Sequence, residues 1–505
     1  MRSSRFAFAV AALTLAAEGP APSAGPADSA AAATPPTVYV TFWFDTEDYI
    51  LPDADDAAKR LADIFTRHGA RATFKIVGEK ARVLCERGRT DVIEALANHD
   101  IGYHTDFHSV HPTPSEYSRD PDWDEGVAEF LRREGPGLDF LRELFGDRIS
   151  CYGQPGGSWT PQSYGALRQW QIPVYLDDTP HVGWEGKPFW YGGVLNALNL
   201  EGYTTRSDLD SDEELHEGCR RFDEIYKRCL DEGGGLISIY YHPCEWVHEQ
   251  FWDGVNFSRG NSPPRSEWKW PPQKPPEVTE CWFRNFERYL EHVRRCAGVK
   301  IVTASEISEL YRDGAYDRPF GASEAQKVAT ALREGVSFVS GDERALSAAE
   351  AAFLLARAAV LFDERGQRPS EISIEFAFGP SSAPGETMKD LEVPWPRWVE
   401  ACRDFLDARR KLGRMPSVVW VAGRPVDPID FAATLAAAAD GLLRDEKAPA
   451  SVRLVRGNFS AGRFVAGDGP GLWGWVIFPE GFRAPKMMAI ARLQAWTLKP
   501  AVRAR

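Results

Sequence analysis

The sequence predicts an α/β protein built on a parallel sheet, and two observations carry that reading. From residue 37 onward, short β-branched and aromatic runs alternate with stretches of helical periodicity. Repeated βα units of this kind lay down parallel strands, either doubly wound or closed into a barrel. Polar clusters also follow several of the runs directly, at the strand ends where such sheets carry their functional loops. The first strand, 37–44, is Val, Tyr, Thr, Phe and Trp, residues suited to a pleated buried surface. Helical spacing follows at 55–68, a strand at 71–77 and helical spacing again at 79–98. Further strands are expected at 101–103, 149–152, 173–176, 236–241 and 299–303, with helices at 212–232 and 282–295 between them. A Trp/Pro-rich stretch, 246–276, interrupts the rhythm as an inserted loop bearing Trp246, Trp252, Trp268 and Trp270. Those rings suit either stacking on sugars or plugging the mouth of the sheet.

Length and composition bound the answer. A chain of 505 residues is long enough for two to four domains. Hydrophobic residues at 43% and charged residues at 26% argue for a globular chain over a disordered or fibrous one. Lys+Arg 59 against Asp+Glu 73 gives a net charge of −14, which removes any electrostatic reason to bind nucleic acid or an anionic membrane. Eight cysteines with no CxxC pair argue against a thiolate zinc site, and leave room for one or two disulfides. Arg2 and Arg5, an apolar run at 6–17 and small residues after it read as a cleavable export signal, placing the protein in the periplasm or outside the cell. No transmembrane anchor is expected. The divisions are then 1–36 for signal and Ala/Pro-rich spacer, 37–315 for the large α/β domain, and 323–505 for a smaller α+β or mostly helical accessory domain. All ten histidines fall between His68 and His292, so imidazole chemistry belongs to the large domain.

Three clusters could carry that chemistry: Asp45-Thr46-Glu47-Asp48, His104-Thr105-Asp106-Phe107-His108, and His242-Pro243. Two histidines four apart, joined by a carboxylate, make a three-ligand site that leaves a position open, as catalytic zinc does. A second carboxylate could take a proton from water and His242 could protonate a leaving group, which describes metal-assisted hydrolysis of an amide or ester. His108 and His111 are also spaced to share a site, and the acidic cluster would serve equally as a helix cap.

Residues 37–307 resemble the polysaccharide deacetylase superfamily (NodB homology, carbohydrate esterase family 4). The resemblance rests on Val40-Thr41-Phe42-Trp43-Phe44-Asp45, on the run from His68 to Gly78, on Asp100 to His108, on Tyr152-Gly153-Gln154-Pro155-Gly156-Gly157, and on Ile239 to Pro243. It implies a distorted (β/α)7-type barrel, a divalent ion (Zn²⁺ by preference), Asp45 as general base and His242 as general acid. It implies His104 and His108 as metal ligands, with Glu47 as the third and Asp48 behind it. The family's arginine beside the base is replaced, at Gly153, so Asp45 is expected to hold its proton more readily. The carboxylate supporting the catalytic histidine is expected at Asp177 or Asp178, with Asp178 taken as the catalytic-site member. Residues 405–426 resemble a pseudomurein-binding-type repeat, which implies attachment to a cell-wall polymer, with a plain covering domain as the alternative.

The resulting expectation is an exported hydrolase that removes acetyl groups from an N- or O-acetylated carbohydrate of the cell wall or an extracellular polysaccharide. A cyclic-amide or other non-sugar C–N hydrolase on the same barrel is the first alternative. A non-catalytic carbohydrate-binding protein is the second.

Overall fold

The computed structural model describes residues 35–503. The export signal expected in the first 34 residues lies outside the described residues. Ten strands, β1 (Val38–Thr46), β2 (Thr73–Ile76), β3 (Asp100–Tyr103), β4 (Cys151–Tyr152), β5 (Val174–Asp177), β6 (Phe189–Tyr191), β7 (Val194–Leu198), β8 (Thr204–Thr205), β9 (Gly235–Tyr241) and β10 (Val299–Ile301), share one sheet with a terminal strand at Lys499–Pro500. Its order is the terminal strand, β6, β7, β5, β4, β3, β2, β1, β9, β8, with β10 beside the start of β1. Pairing is parallel except where β6 meets β7 and the terminal strand. The sheet is curled. Lys75 on β2 reaches Asp177 on β5 at 2.6 Å, although three strand steps of about 4.8 Å each separate them in a flat sheet. The two ends of the sheet do not meet, so this α/β barrel is distorted and open.

The strands agree with the alternation read from sequence, whereas β6, β7 and β8 were not foreseen. Predicted helix 79–98 divides into Gly78–Glu86 and Thr90–Ala97, broken by Gly88 at φ 66. The helix Asp53–Arg67 has Asp53, Asp55 and Asp56 in its first turn, where carboxylates complement the helix dipole. It buries Leu61, Ile64 and Phe65 against β1 residues Phe42 and Phe44. The 23-residue helix Trp123–Phe145 was also unforeseen, and it carries Pro136 inside it.

A second cluster of buried residues gathers Ala315 to Val452, formed by helices Ala322–Glu334, Ala348–Arg365, Trp395–Leu412 and Pro428–Asp445. From Ala461 the chain returns to the barrel, where Val465, Trp473, Phe478, Met487 and Leu498 join the main core, while Trp496 still packs in the second cluster. The disulfides allowed by the cysteine count do not form, since all eight cysteines are free. Among the described residues, no helix is long and apolar enough to cross a membrane.

Candidate active site

The C-terminal ends of β1, β3 and β9 deliver the three polar clusters to one point. Glu47 follows β1; His104 follows β3, and His108 lies one loop further on. Thr105 (φ 67) and His108 (φ 55) both adopt the left-handed region, a strained conformation that concentrates at functional sites. Glu47 Oε2 lies 2.9 Å from His108 Nε2 and 3.8 Å from His104 Nε2. One ligand atom from each of the three residues falls within 4.8 Å of the others, and all three residues are buried. His104 Nδ1 donates to the Gly153 carbonyl at 3.0 Å, and His108 Nδ1 sits 2.6 Å from Ser109 Oγ. Each ring is therefore held by Nδ1 with Nε2 turned inward, the arrangement of a metal-ligating histidine with an outer hydrogen bond. Neither Nε2 has a hydrogen-bond partner. Two buried imidazole nitrogens without partners, facing a carboxylate, fit a divalent ion of the His/carboxylate class. Burial alone would raise the Glu47 carboxyl, but His108 and His242 outweigh it and hold it well below the usual glutamate range.

Asp48, expected as a reserve ligand, turns away. Its Oδ1 accepts the Ile50 and Leu51 amides at 2.8 and 3.3 Å, and its Oδ2 lies 3.1 Å from His248 Nε2. His111 is likewise occupied, with Nδ1 2.7 Å from Glu116. Of the two pairings that the histidine spacing allowed, only His104 with His108 converges.

Asp45 stands beside the triad. Its Oδ1 is 3.5 Å from His104 Nδ1, and its Oδ2 is 3.6 Å from His242 Nε2. The sequence reading left it without a cation, and the structure corrects this. Lys75 is the parallel register partner of Asp45 on β2, and its Nζ lies 2.9 Å from Asp45 Oδ1 and 2.6 Å from Asp177 Oδ2. Burial opposes ionisation of Asp45, yet His104, Lys75 and His242 together lower its pKa below the ordinary aspartate value. The predicted rise is thus reversed. Two glycines make room for the lysine: a Cβ on Gly102 would meet Lys75 Cγ at 2.9 Å, and one on Gly153 would meet Nζ at 2.1 Å. Asp45, His104 and Asp177 also cluster closely enough to hold an ion. There Lys75 already bridges the two carboxylates. Asp177 also accepts from Gln154 Nε2 at 3.0 Å, and burial pushes its carboxyl up to about 7.

His242 takes its support from a different residue than expected. Asp178 is exposed, one residue past β5, and its amide caps Asp177 Oδ1 at 2.8 Å. Glu245, on the turn Pro243–Trp246, places Oε1 2.5 Å from His242 Nδ1, and Arg206 contacts the same oxygen at 2.5 Å. Burial would lower the His242 pKa, but Glu245 first and Glu47 next raise it to about 9. The ring is thus cationic at neutral pH with Nε2 aimed at Asp45. Lys75, Glu245 and Arg206 escaped the sequence reading. A lysine inside a buried strand, and a glutamate three residues past the histidine, were the available signals.

The tryptophans of the insertion mostly plug. Trp246 packs among Phe44, Trp282 and Phe286, and Trp252 lies 5.8 Å from the His108 ring. Only Trp270, 62% exposed, faces solvent broadly.

No family model matches the chain, and no curated protein matches it. Solved structures do resemble it over about half its length. A Mycobacterium smegmatis protein described as a polysaccharide deacetylase is 14% identical, with 55% of this chain and 93% of that one covered at a TM-score of 0.37. The Puue allantoinase is 12% identical, with 54% and 90% covered at 0.34. A carbohydrate esterase family 4 pseudoenzyme from Bacillus anthracis is 13% identical, with 54% and 66% covered at 0.27. Identities and scores this low leave the reading of the site to its own geometry. That geometry is a curled α/β barrel with Glu47, His104, His108, Asp45 and His242 gathered at the carboxyl ends of its strands.

Proposed function

We propose that the chain is a divergent member of the polysaccharide deacetylase superfamily, a divalent-metal-dependent hydrolase that removes acetyl groups from an N- or O-acetylated carbohydrate. The observation that carries this reading is the pair of buried, unpartnered imidazole nitrogens of His104 and His108 facing Glu47, with a base on one side and an acid beyond it. A divalent ion held there, Zn²⁺ by its donor set, would polarise the acyl carbonyl and acidify water. Asp45, kept anionic by Lys75, takes the proton of the attacking water. His242, kept cationic by Glu245, donates from Nε2 to the departing amine or alkoxide. Lys75 restores the charge whose loss would have favoured an inactive, merely carbohydrate-binding protein. Asp48 and Asp178 have no part in these steps.

The order of basic, apolar and small residues at the N-terminus supports export to the periplasm or medium. The resemblance of 405–426 to a pseudomurein-binding-type repeat supports attachment to a cell-wall polymer. One observation favours ring opening of a small cyclic amide as a second reading: Asp45, Glu47, His104 and His108 are each 4% exposed or less. The test is purified protein assayed for bound metal and for acetate release from acetylated glycans, beside the His104→Ala variant. Loss of both metal and acetate release is expected; unchanged metal content in the variant rejects the ligand set.

A further inference from the structure

The barrel's open face is crossed by a segment that no motif of the site includes. At Phe464–Ala466 the chain pairs with the loop after β5: the Gly183 amide donates to the Phe464 carbonyl at 3.1 Å and the Ala466 amide to His181 at 2.9 Å. It then passes the loop after β4, where Trp475 covers Gly156 so closely that a Cβ there would meet the indole at 2.2 Å. Gly156 has φ +47 and no side chain, which is what lets the ring settle. Beyond, the Arg259 and Gly260 amides donate to Val476 and Ile477 at 2.9 and 2.7 Å, tying the segment to the insertion after β9. The strap therefore runs across the mouth from one side to the other.

Trp475 is its point of contact with the chemistry. Its ring meets His108 edge to face at 5.6 Å, and its Nε1 donates to Asp253 Oδ2 at 2.8 Å. Asp253 is itself buried beside the triad. With Trp252 also 5.8 Å from the His108 ring, two indoles pack against the ligand cluster. His242 is the most exposed of the five site residues, at 14% of its side chain, and a recess of about 430 Å³ borders His108 on the side of Thr105, Phe107 and Arg133. A smaller recess of about 130 Å³, lined by Arg206, Glu245, Phe251 and Lys274, lies on the side of His242's partner Glu245.

We infer that Trp475 is a specificity-determining residue, and that the strap restricts this site to an acetyl group presented at the end of a short molecule or chain. A polymer deacetylated at an interior unit needs room for units on both sides of the reacting one, and the strap lies across that face. The inference rests on the hydrolase reading above and narrows its substrate.

The experiment compares wild type, Trp475→Ala and Trp475→Phe, each loaded with Zn²⁺ and checked for an intact thermal transition. The first readout is the rate at which dipicolinate strips the ion. It is expected to rise about tenfold or more in Trp475→Ala and little in Trp475→Phe, which keeps a ring over His108. The second is acetate release per acetyl group from acetylated di- and trisaccharides against the long polymer. Wild type is expected to favour the short compounds by about tenfold or more, and Trp475→Ala to narrow that ratio. Equal rates on short and long substrates in wild type, or unchanged stripping and ratio in Trp475→Ala, overturn the inference. Wild type that binds Zn²⁺ yet releases no acetate refutes the hydrolase reading instead, and the stripping rates then decide alone whether Trp475 covers the ion.

Discussion

Lys75 Nζ occupies the space that a side chain on Gly153 would fill, and from there it bridges Asp45 and Asp177 at 2.9 and 2.6 Å. The cation beside Asp45 thus comes from the neighbouring strand β2. A fully buried lysine between two carboxylates is held in place by its charge partners, and removing it strands a buried anion.

Lys75→Met is therefore expected to lower kcat/KM about a hundredfold and to shift the acidic limb of its pH profile upward, since Asp45 without its cation ionises less readily. Lys75→Phe combined with Gly153→Arg returns the cation from the other strand and is expected to recover part of that loss. Kinetics across pH for the three proteins check this. A Lys75→Met profile that keeps its acidic limb in place would show that Lys75 does not act on the base.

Glu245 is the first cause of the raised pKa of His242. A histidine raised to about 9 stays protonated through neutral pH and loses its proton only as pH passes that value. In Glu245→Gln the alkaline limb of kcat/KM is expected to move down toward the ordinary histidine range, while bound metal is unchanged. A pH titration of activity with parallel metal analysis tests it, and an unmoved alkaline limb would separate Glu245 from the acid.

Glu134 carries a pH dependence of stability away from the reacting groups. It accepts from the Asp106 amide at 2.7 Å and the Tyr117 hydroxyl at 2.8 Å, yet burial pushes its carboxyl from 4.5 up to about 7. Between those values the folded chain holds a proton that the unfolded chain has released. Stability from this group is accordingly full below about pH 4.5 and falls as pH rises to about 7. Glu134→Gln removes the titration, so the wild type is expected to lose on the order of 3 kcal/mol more than the variant between pH 5 and 8. Urea unfolding of both proteins at the two pH values measures the difference; equal losses would place the titration elsewhere.

The sequence was a good guide wherever a signal is local. Strands with polar clusters at their ends and the four-residue spacing of His104 and His108, which converge with Glu47, were legible, because each depends on neighbours along the chain. Asp48 shows how narrow that margin was: one residue further on, the turn redirects its carboxylate to the Ile50 and Leu51 amides. Asp178 failed for a similar reason, since Asp177 still belongs to β5 and stays buried while Asp178 has passed the strand end into solvent.

By itself, then, the sequence determined the alternating α/β architecture and the residues that follow β1, β3 and β9, since hydrophobic periodicity and short motifs are written in consecutive positions. Tertiary structure alone decided which cation lies beside Asp45, which anion lies beside His242 and what covers the cluster of Glu47, His104 and His108. Lys75 reaches Asp177 only because the sheet curls, and Trp475 reaches His108 only because the chain returns to the barrel after its second core. Those partners are remote in sequence, and strand register, curvature and docking, which no local pattern encodes, bring them together.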